Sequence, residues 1–224
     1  MSSSFILSGP SLWSRRRRAV LEAAPRTTSS ELANECGATL PDFFRFPEFV
    51  ALKPVLLEND RFHAIMALVM GGDDYRFCSH NDIGVNRLSR WHKDRLNGAY
   101  QHYQRHAIWS KAADGSEHQI YKLLVYMEDH SDDDHALKVV PGTHVIQETK
   151  PYRAENALQL KPALGDAIII DQRVTHMGQF EQVDNNAERI LVSVGWGREN
   201  VFTTEFEAGT RARQADQLAR LGGR

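Results

Sequence analysis

Gly165-Asp166-Ala167-Ile168-Ile169-Ile170-Asp171 is the stretch that decides the fold. It reads as a tight turn followed by a short, buried, apolar strand. The same texture extends to both sides. From about Tyr75 onward, short β-rich runs alternate with turn residues: Tyr75–Ser79, Leu88–His92, Gln119–Met127, Leu137–Val140, Ala157–Leu160, Ala167–Asp171 and Arg189–Trp196. Pro141-Gly142 and Gly165-Asp166 mark two of the turns. Short strands at such intervals predict an all-β sandwich or barrel.

The flanks read differently. From Thr27 to about Asp60 the pattern is helical. Ser29 or Ser30 can cap a helix that runs through Cys36 and ends at Gly37. Pro41 and Asp42 precede the aromatic run Phe43-Phe44-Arg45-Phe46, and a further helical segment spans Pro47 to Leu57, with Pro54 as a possible kink. After Phe202 the pattern turns helical again, with Thr203 or Thr204 as the expected cap. The expected organisation is a single domain: a helical flank over 1–74, a β core over 75–202 and a C-terminal helix over 203–224.

Composition excludes several classes. The 224 residues are 42% apolar and 25% charged, as in a soluble globular protein. Lys and Arg number 27 against 29 Asp and Glu, a formal charge of −2, and a nucleic-acid binder would carry a basic excess. Apolar stretches such as Leu123–Met127 and Ala167–Ile170 fall far short of a membrane span. Two cysteines, Cys36 and Cys78, form no disulfide framework and suit a reducing cytoplasm; Cys78 reads as buried core. The Arg- and Ser-rich N-terminus, with Arg15 to Arg18 consecutive and Glu22 its single acid, reads as a solvated basic arm or as an organellar import segment.

The chemistry starts at Trp91-His92-Lys93-Asp94. On a strand, residues i and i+2 share a face, so His92 and Asp94 can reach one ion. An imidazole and a carboxylate are two thirds of the facial triad that holds non-haem Fe(II). His176, in Thr175-His176-Met177-Gly178, supplies a third ligand. Arg189 follows thirteen residues later at the start of a strand, where a guanidinium can clamp a carboxylate with two parallel hydrogen bonds. Ser193, four residues on and on the same face, can donate to that carboxylate.

These features resemble the phytanoyl-CoA dioxygenase family of Fe(II)/2-oxoglutarate oxygenases, over roughly residues 75–197. The resemblance rests on His92-Lys93-Asp94 after Trp91 and on Tyr121–Asp129 leading into Leu137-Lys138-Val139-Val140-Pro141-Gly142-Thr143-His144. It continues through Gly165-Asp166, His176 and Arg189. It implies a double-stranded β-helix, the jelly roll of cupin-like proteins, with helices on its flanks. It implies Fe(II) held by His92, Asp94 and His176, 2-oxoglutarate as cosubstrate with its distal carboxylate on Arg189, and O2 as oxidant. The activity implied is hydroxylation or related oxidation of a small molecule, with release of succinate and CO2. Where family members often carry Asn-Gly or Gly-Gly, this chain has Asp132-Asp133-Asp134-His135.

Rivals exist for each role. His144 competes with His176 as third ligand. His130, Asp132, Asp133, Asp134 and His135 read as a solvated acidic loop or a surface metal site. His102 and His106 read as polar surface residues. Trp109 can wall the cosubstrate pocket or belong to the core, and Lys122 and Tyr126 share a strand face from which either can donate to 2-oxoglutarate. Other readings of the whole chain are a cupin-like metal isomerase, a cosubstrate-independent dioxygenase, and a catalytically inactive jelly-roll binding module. Oligomeric state is not legible in the sequence.

Overall fold

The computed structural model of the protein describes residues 38–148, 154–178 and 189–222. Two antiparallel sheets dominate it. The larger has five strands: β1 (Ala38–Pro41), β2 (Tyr75–Val85), β8 (Ile190–Arg198), β3 (Ile120–Tyr126) and β6 (Ala167–Asp171), in that spatial order. The smaller has three: β5 (Leu158–Gln159), β4 (Lys138–Val140) and β7 (Thr175–Met177).

Strand alternation divides the large sheet into two faces. Leu123 and Val125 of β3 and Val192, Val194 and Trp196 of β8 point outward. They pack on Phe43, Phe49, Leu52 and Leu56, and on Phe62, Met66 and Met70 of a helix at Asp60–Met70. Each such side chain contributes roughly 1.5–3 kcal/mol when fully buried. The intervening residues point inward. Leu124, Ile168, Ile170 and Leu191 meet Leu137, Val139 and Leu160 of the small sheet and its ends. Lys122, Tyr126 and Ser193 share this inner face. On β2 the register shifts between Phe77 and Asn81, where Ser79 takes a left-handed backbone (φ 61), and His80 and Asp82 also point inward.

Among the described residues, three α-helices flank the sheets: α1 (Lys53–Leu57), α2 (Asp60–Met70) and α3 (Val201–Gly222). Asn59 caps α2 by accepting from Phe62 N at 3.0 Å, and Gly71 (φ 74) ends it. Among the described residues, no helix is long and apolar enough to cross a membrane.

Three sequence expectations need correction. Ala38–Pro41, read within the helical flank, is a strand: it pairs with the edge of β2 and satisfies backbone groups that β2 would otherwise leave open. Leu88–His92 is not a strand. Asn86 (φ 50) turns the chain at the end of β2, and only His92 pairs, as a single bridge to His176. The cap of the C-terminal helix is Asn200, whose Oδ1 accepts from Phe202 N at 3.1 Å and Thr203 N at 3.3 Å, rather than Thr203 or Thr204. The helix expected from Ser29 to Cys36 and the arginine run lie outside the described residues.

Candidate metal and cosubstrate site

The segment bearing His92 and Asp94 is held by exchange with its neighbours. His92 N donates to His176 O, and His176 N to His92 O, both at 2.9 Å; Asp94 N donates to Gln172 O at 2.9 Å. Lys93 points the other way. It is buried, and its Nζ donates to Thr143 O and Arg173 O, each at 2.5 Å. Thr143 Oγ1 in turn donates to Val140 O (2.7 Å) and accepts from Thr175 N (2.8 Å). The Pro141-Gly142-Thr143-His144 element is therefore a brace. Gly142 (φ 78) makes the turn, and Thr143 ties the segment of His92 and Asp94 to the strand of His176.

His92, Asp94 and His176 each bring one ligand atom to within 4.8 Å of the others. Asp94 Oδ1 lies 3.7 Å from His92 Nε2, and Asp94 Oδ2 lies 3.4 Å from His176 Nε2. Each imidazole is oriented by its other nitrogen. His92 Nδ1 sits 2.6 Å from Arg90 O and His176 Nδ1 sits 2.9 Å from Val174 O. A carbonyl only accepts, so both Nδ1 atoms carry the proton and both Nε2 lone pairs face Asp94.

The electrostatics favour ligand-ready protonation states. Burial brings the His176 imidazole down to about 4 against the pull of Asp94, so the ring is neutral at pH 7. Burial alone would raise the Asp94 carboxyl, but Lys122, whose Nζ is 2.8 Å from Asp94 Oδ2, together with His176 and His92 holds it far below the usual range.

These groups open onto a cavity of about 200 Å³ that is also lined by Lys122, Tyr126, Arg189 and Ser193. Leu124, Leu137, Ile170 and Leu191 form its apolar wall. Arg189 is 6% exposed. Its backbone N–H donates to Asn86 Oδ1 (2.7 Å) and its Nη1 to His135 O (3.0 Å). Gly178 gives it room: a Cβ there would lie 3.4 Å from Nη1 and 2.7 Å from Ser89 Oγ. Tyr126 is fully buried, its phenol is pushed up to about 12 by burial, and its oxygen faces the Leu137 backbone N–H while its hydroxyl proton finds no acceptor among the described residues.

Other expected residues lie elsewhere. Trp109 is outside the cavity, because its indole Nε1 donates to His144 O at 2.9 Å. His144 sits in the turn Thr143–Val145, outside both the trio and the cavity. His106 is less free than a surface residue: its Nδ1 lies 2.8 Å from the buried Glu205 carboxylate.

The sequence reading missed His80 and Asp82. Both are buried in the cavity wall. His80 Nε2 lies 3.0 Å from Ser193 Oγ, and Asp82 receives Arg213 Nη2 at 2.7 Å and Gln214 Nε2 at 3.2 Å. A signal was present, since His80-Asn81-Asp82 repeats the His-x-Asp spacing on a strand. Ser193 is thus engaged with His80.

No family model and no curated protein matches the sequence. Its fold, however, is found among solved structures. HygX from Streptomyces hygroscopicus, solved with nickel, 2-oxoglutarate and hygromycin B bound, is 17% identical, with a TM-score of 0.52 over 85% of this chain and 80% of that one. The non-haem α-ketoglutarate-dependent carbocyclase SnoK from nogalamycin biosynthesis is 16% identical, with a TM-score of 0.56 over 85% and 76%. The epimerase SnoN, of the same dependence and biosynthesis, is 14% identical, with a TM-score of 0.55 over 84% and 74%. At these identities the likeness is one of fold.

Proposed function

We propose that the protein is an Fe(II)/2-oxoglutarate-dependent oxygenase of the phytanoyl-CoA dioxygenase type, on a jelly roll, that oxidises a small molecule and releases succinate and CO2. The observation that carries this reading is the convergence of two imidazole Nε2 atoms and a carboxylate on one point, in the same cavity as a buried arginine. Two imidazoles and one carboxylate are the donor set of non-haem Fe(II) oxygenases, and both rings already direct an unprotonated nitrogen at the carboxylate. His92, Asp94 and His176 would hold the metal, which with 2-oxoglutarate and O2 supplies the oxidising chemistry.

The chain's own groups bind, orient and exclude water. Arg189 offers its planar fork to the distal carboxylate of 2-oxoglutarate from a buried position, where a charge-assisted pair is strongest. The Tyr126 hydroxyl proton, which has no acceptor among the described residues, supports a second donor to the cosubstrate, since leaving a buried donor unpaired costs about 1–3 kcal/mol. Lys122 neutralises Asp94 and fixes its rotamer. His80 fixes the Ser193 hydroxyl. The apolar wall keeps one side of the cavity dry.

A small-molecule substrate accords with the hygromycin B bound to HygX, and the carbocyclase and epimerase of this fold widen the range of outcomes. With a carboxylate at position 94, the expected outcomes are hydroxylation, desaturation or cyclisation. The test is succinate release with Fe(II), ascorbate and a panel of small molecules, alongside anaerobic 2-oxoglutarate binding followed by its metal-to-ligand charge-transfer absorption. Wild type should show both signals and Asp94→Ala neither. A wild type that takes up Fe(II) but gives no charge-transfer band would overturn the reading.

A further inference from the structure

A second trio of donors lies on the loop between β3 and β4, and the oxygenase reading makes no use of it. His130, Asp133 and His135 each bring one ligand atom to within 4.8 Å of the others. The loop sorts its three successive aspartates. Asp132 and Asp134 are exposed, with Asp134 3.5 Å from Lys161 Nζ, while Asp133 turns inward. Asp133 Oδ2 lies 3.0 Å from His130 Nδ1 and 3.4 Å from His135 Nδ1.

The His135 separation equals the 3.4 Å between Asp94 and His176, and the His130 separation is shorter by a few tenths of an ångström, a hydrogen bond that an ion would replace. Bonds of about 2.0–2.2 Å to one tetrahedral ion put ligand atoms about 3.3–3.6 Å apart. A solvated acidic loop would leave Asp133 outside. His130 Nδ1 hydrogen-bonds both Asp133 oxygens, at 3.1 and 3.0 Å, and His135 adds a second imidazole facing the same Oδ2, one more than a hydrogen-bonded brace needs.

The donors are also ordered in advance. His130 is 3% exposed and its backbone N–H is fixed on Pro162 O at 2.9 Å. His135 N–H is fixed on Asp133 Oδ1 at 2.8 Å, and the His135 carbonyl accepts from Arg189 Nη1 at 3.0 Å. Ligands already in place lose little freedom on binding. Burial alone would raise the Asp133 carboxyl, but its contacts with the His135 backbone and His130 hold it below the usual range, so it is ionised.

We infer that His130, Asp133 and His135 form a second metal site, for a divalent ion of the zinc class, separate from the His92–Asp94–His176 centre. Two imidazoles and one carboxylate favour zinc, cobalt or nickel over calcium or magnesium, which take oxygen ligands. Asp133 and His135 are each about one-third exposed, at 33% and 35%, and leave a side where water completes the coordination. The bound ion staples the loop whose carbonyl holds Arg189.

The test uses the full chain and Zn2+ alone. In Asp94→Ala, where the first centre is weakened, about one equivalent of Zn2+ should still bind. The ring resonances of His130 and His135 should shift in histidine-selective 15N–1H spectra, and His135→Ala in that background should weaken this binding at least 10-fold. Resonances of His130 and His135 that ignore two equivalents of Zn2+ in wild type would overturn the inference, and that measurement needs no variant. Binding of the same equivalent, equally tightly, in the double variant would also overturn it. The oxygenase reading stands or falls separately. If the first centre takes no metal, wild type binds one equivalent instead of two, and the same two histidines still respond.

Discussion

The two walls of the cavity are built in opposite ways. Lys122, Tyr126, Ser193 and His80 sit on β3, β8 and β2, strands of seven, nine and eleven residues; the β3–β8 ladder is unbroken, and His80 lies at the register shift between β2 and β8. Arg189 stands at the entry to β8, its N–H on Asn86. Backbone pairing fixes Lys122, Tyr126 and Ser193. The opposite wall has almost no ladder. His176 is on the three-residue β7, and His92 joins it through one isolated bridge. Side chains replace the missing ladder there: Lys93 and Thr143 tie the metal-ligand segments together, and Ser89 Oγ accepts from Gly178 N at 2.8 Å. A long sheet thus places its functional groups by register, whereas a short one depends on a few named hydrogen bonds.

If the braced wall carries the metal, removing a ligand there gives the largest effect. Asp94→Ala should weaken Fe(II) binding by more than the ~10–100-fold typical of losing an outer partner. It should leave the thermal midpoint of the metal-free protein within a few degrees. Unchanged metal affinity by anaerobic titration would remove Asp94 from the site. Acid should strain both walls together. Burial pushes His80 down to about 3, and His118 and His176 to about 4. Their unfolded values lie near 6.5. The native state therefore binds fewer protons than the unfolded state below that value, and stability falls as pH drops from about 6.5 towards 4. Each neutral histidine contributes up to ~1.4 kcal/mol per pH unit, several kcal/mol in all across the window. Urea midpoints between pH 7.5 and 4.5 measure this, and His118→Gln should remove about a third of the slope. A flat profile would contradict the buried neutral assignments.

The ladder wall predicts a more selective loss. Arg189→Ala should weaken 2-oxoglutarate about 10- to 100-fold, the equivalent of ~1.5–3 kcal/mol, because the carboxylate is left unpaired. Fe(II) affinity should barely change, since Arg189 is fixed by β8 and Asn86 and touches neither brace. Arg189→Lys should recover part of the loss, keeping the charge without the fork. Equal losses of metal and cosubstrate affinity would mean that the two walls are not independent.

This asymmetry also explains what could be read from sequence. Ala167–Asp171 is one strand from end to end, and β3 and β8 fall within two residues of their expected bounds, because long apolar runs carry a strong local signal. Type, spacing and family resemblance put His92, Asp94, His176 and Arg189 forward together, and all four line one cavity. The misses fall where tertiary contacts override local pattern. Leu88–His92 reads as a strand in isolation, yet the Ser89 hydroxyl accepts from Gly178 N and only His92 pairs. Ala38–Pro41 has no strand signature and pairs only because the edge of β2 is there. Trp109, fifteen residues after the His-x-Asp pair, reads as a candidate cavity wall, and its indole N–H finds the His144 carbonyl instead. His80 and Asp82 went unread because nothing local marks which of two His-x-Asp pairs faces a third ligand.

The smallest effect is the sharpest test of how the walls differ. Thr143→Val keeps the shape of the side chain and removes the oxygen that accepts from Thr175 N and donates to Val140 O. Thr175 is fully buried, so its N–H is left without a partner, at a cost of about 1–3 kcal/mol. Part of that cost should appear in the metal site, because Thr175 adjoins His176 and no longer ladder holds it. The expected result is a several-fold loss of Fe(II) affinity with no loss of 2-oxoglutarate affinity once metal is saturating. Ser193→Ala is the matched change on the other wall. It deletes the partner of His80 Nε2 and leaves the pairing of β8 with β2 and β3 intact. It should lower stability by about 1 kcal/mol and leave Fe(II) affinity unchanged. Equal effects of the two variants on Fe(II) affinity would show that Thr143 is an ordinary buried hydroxyl, and the braced wall would lose its claim to be different.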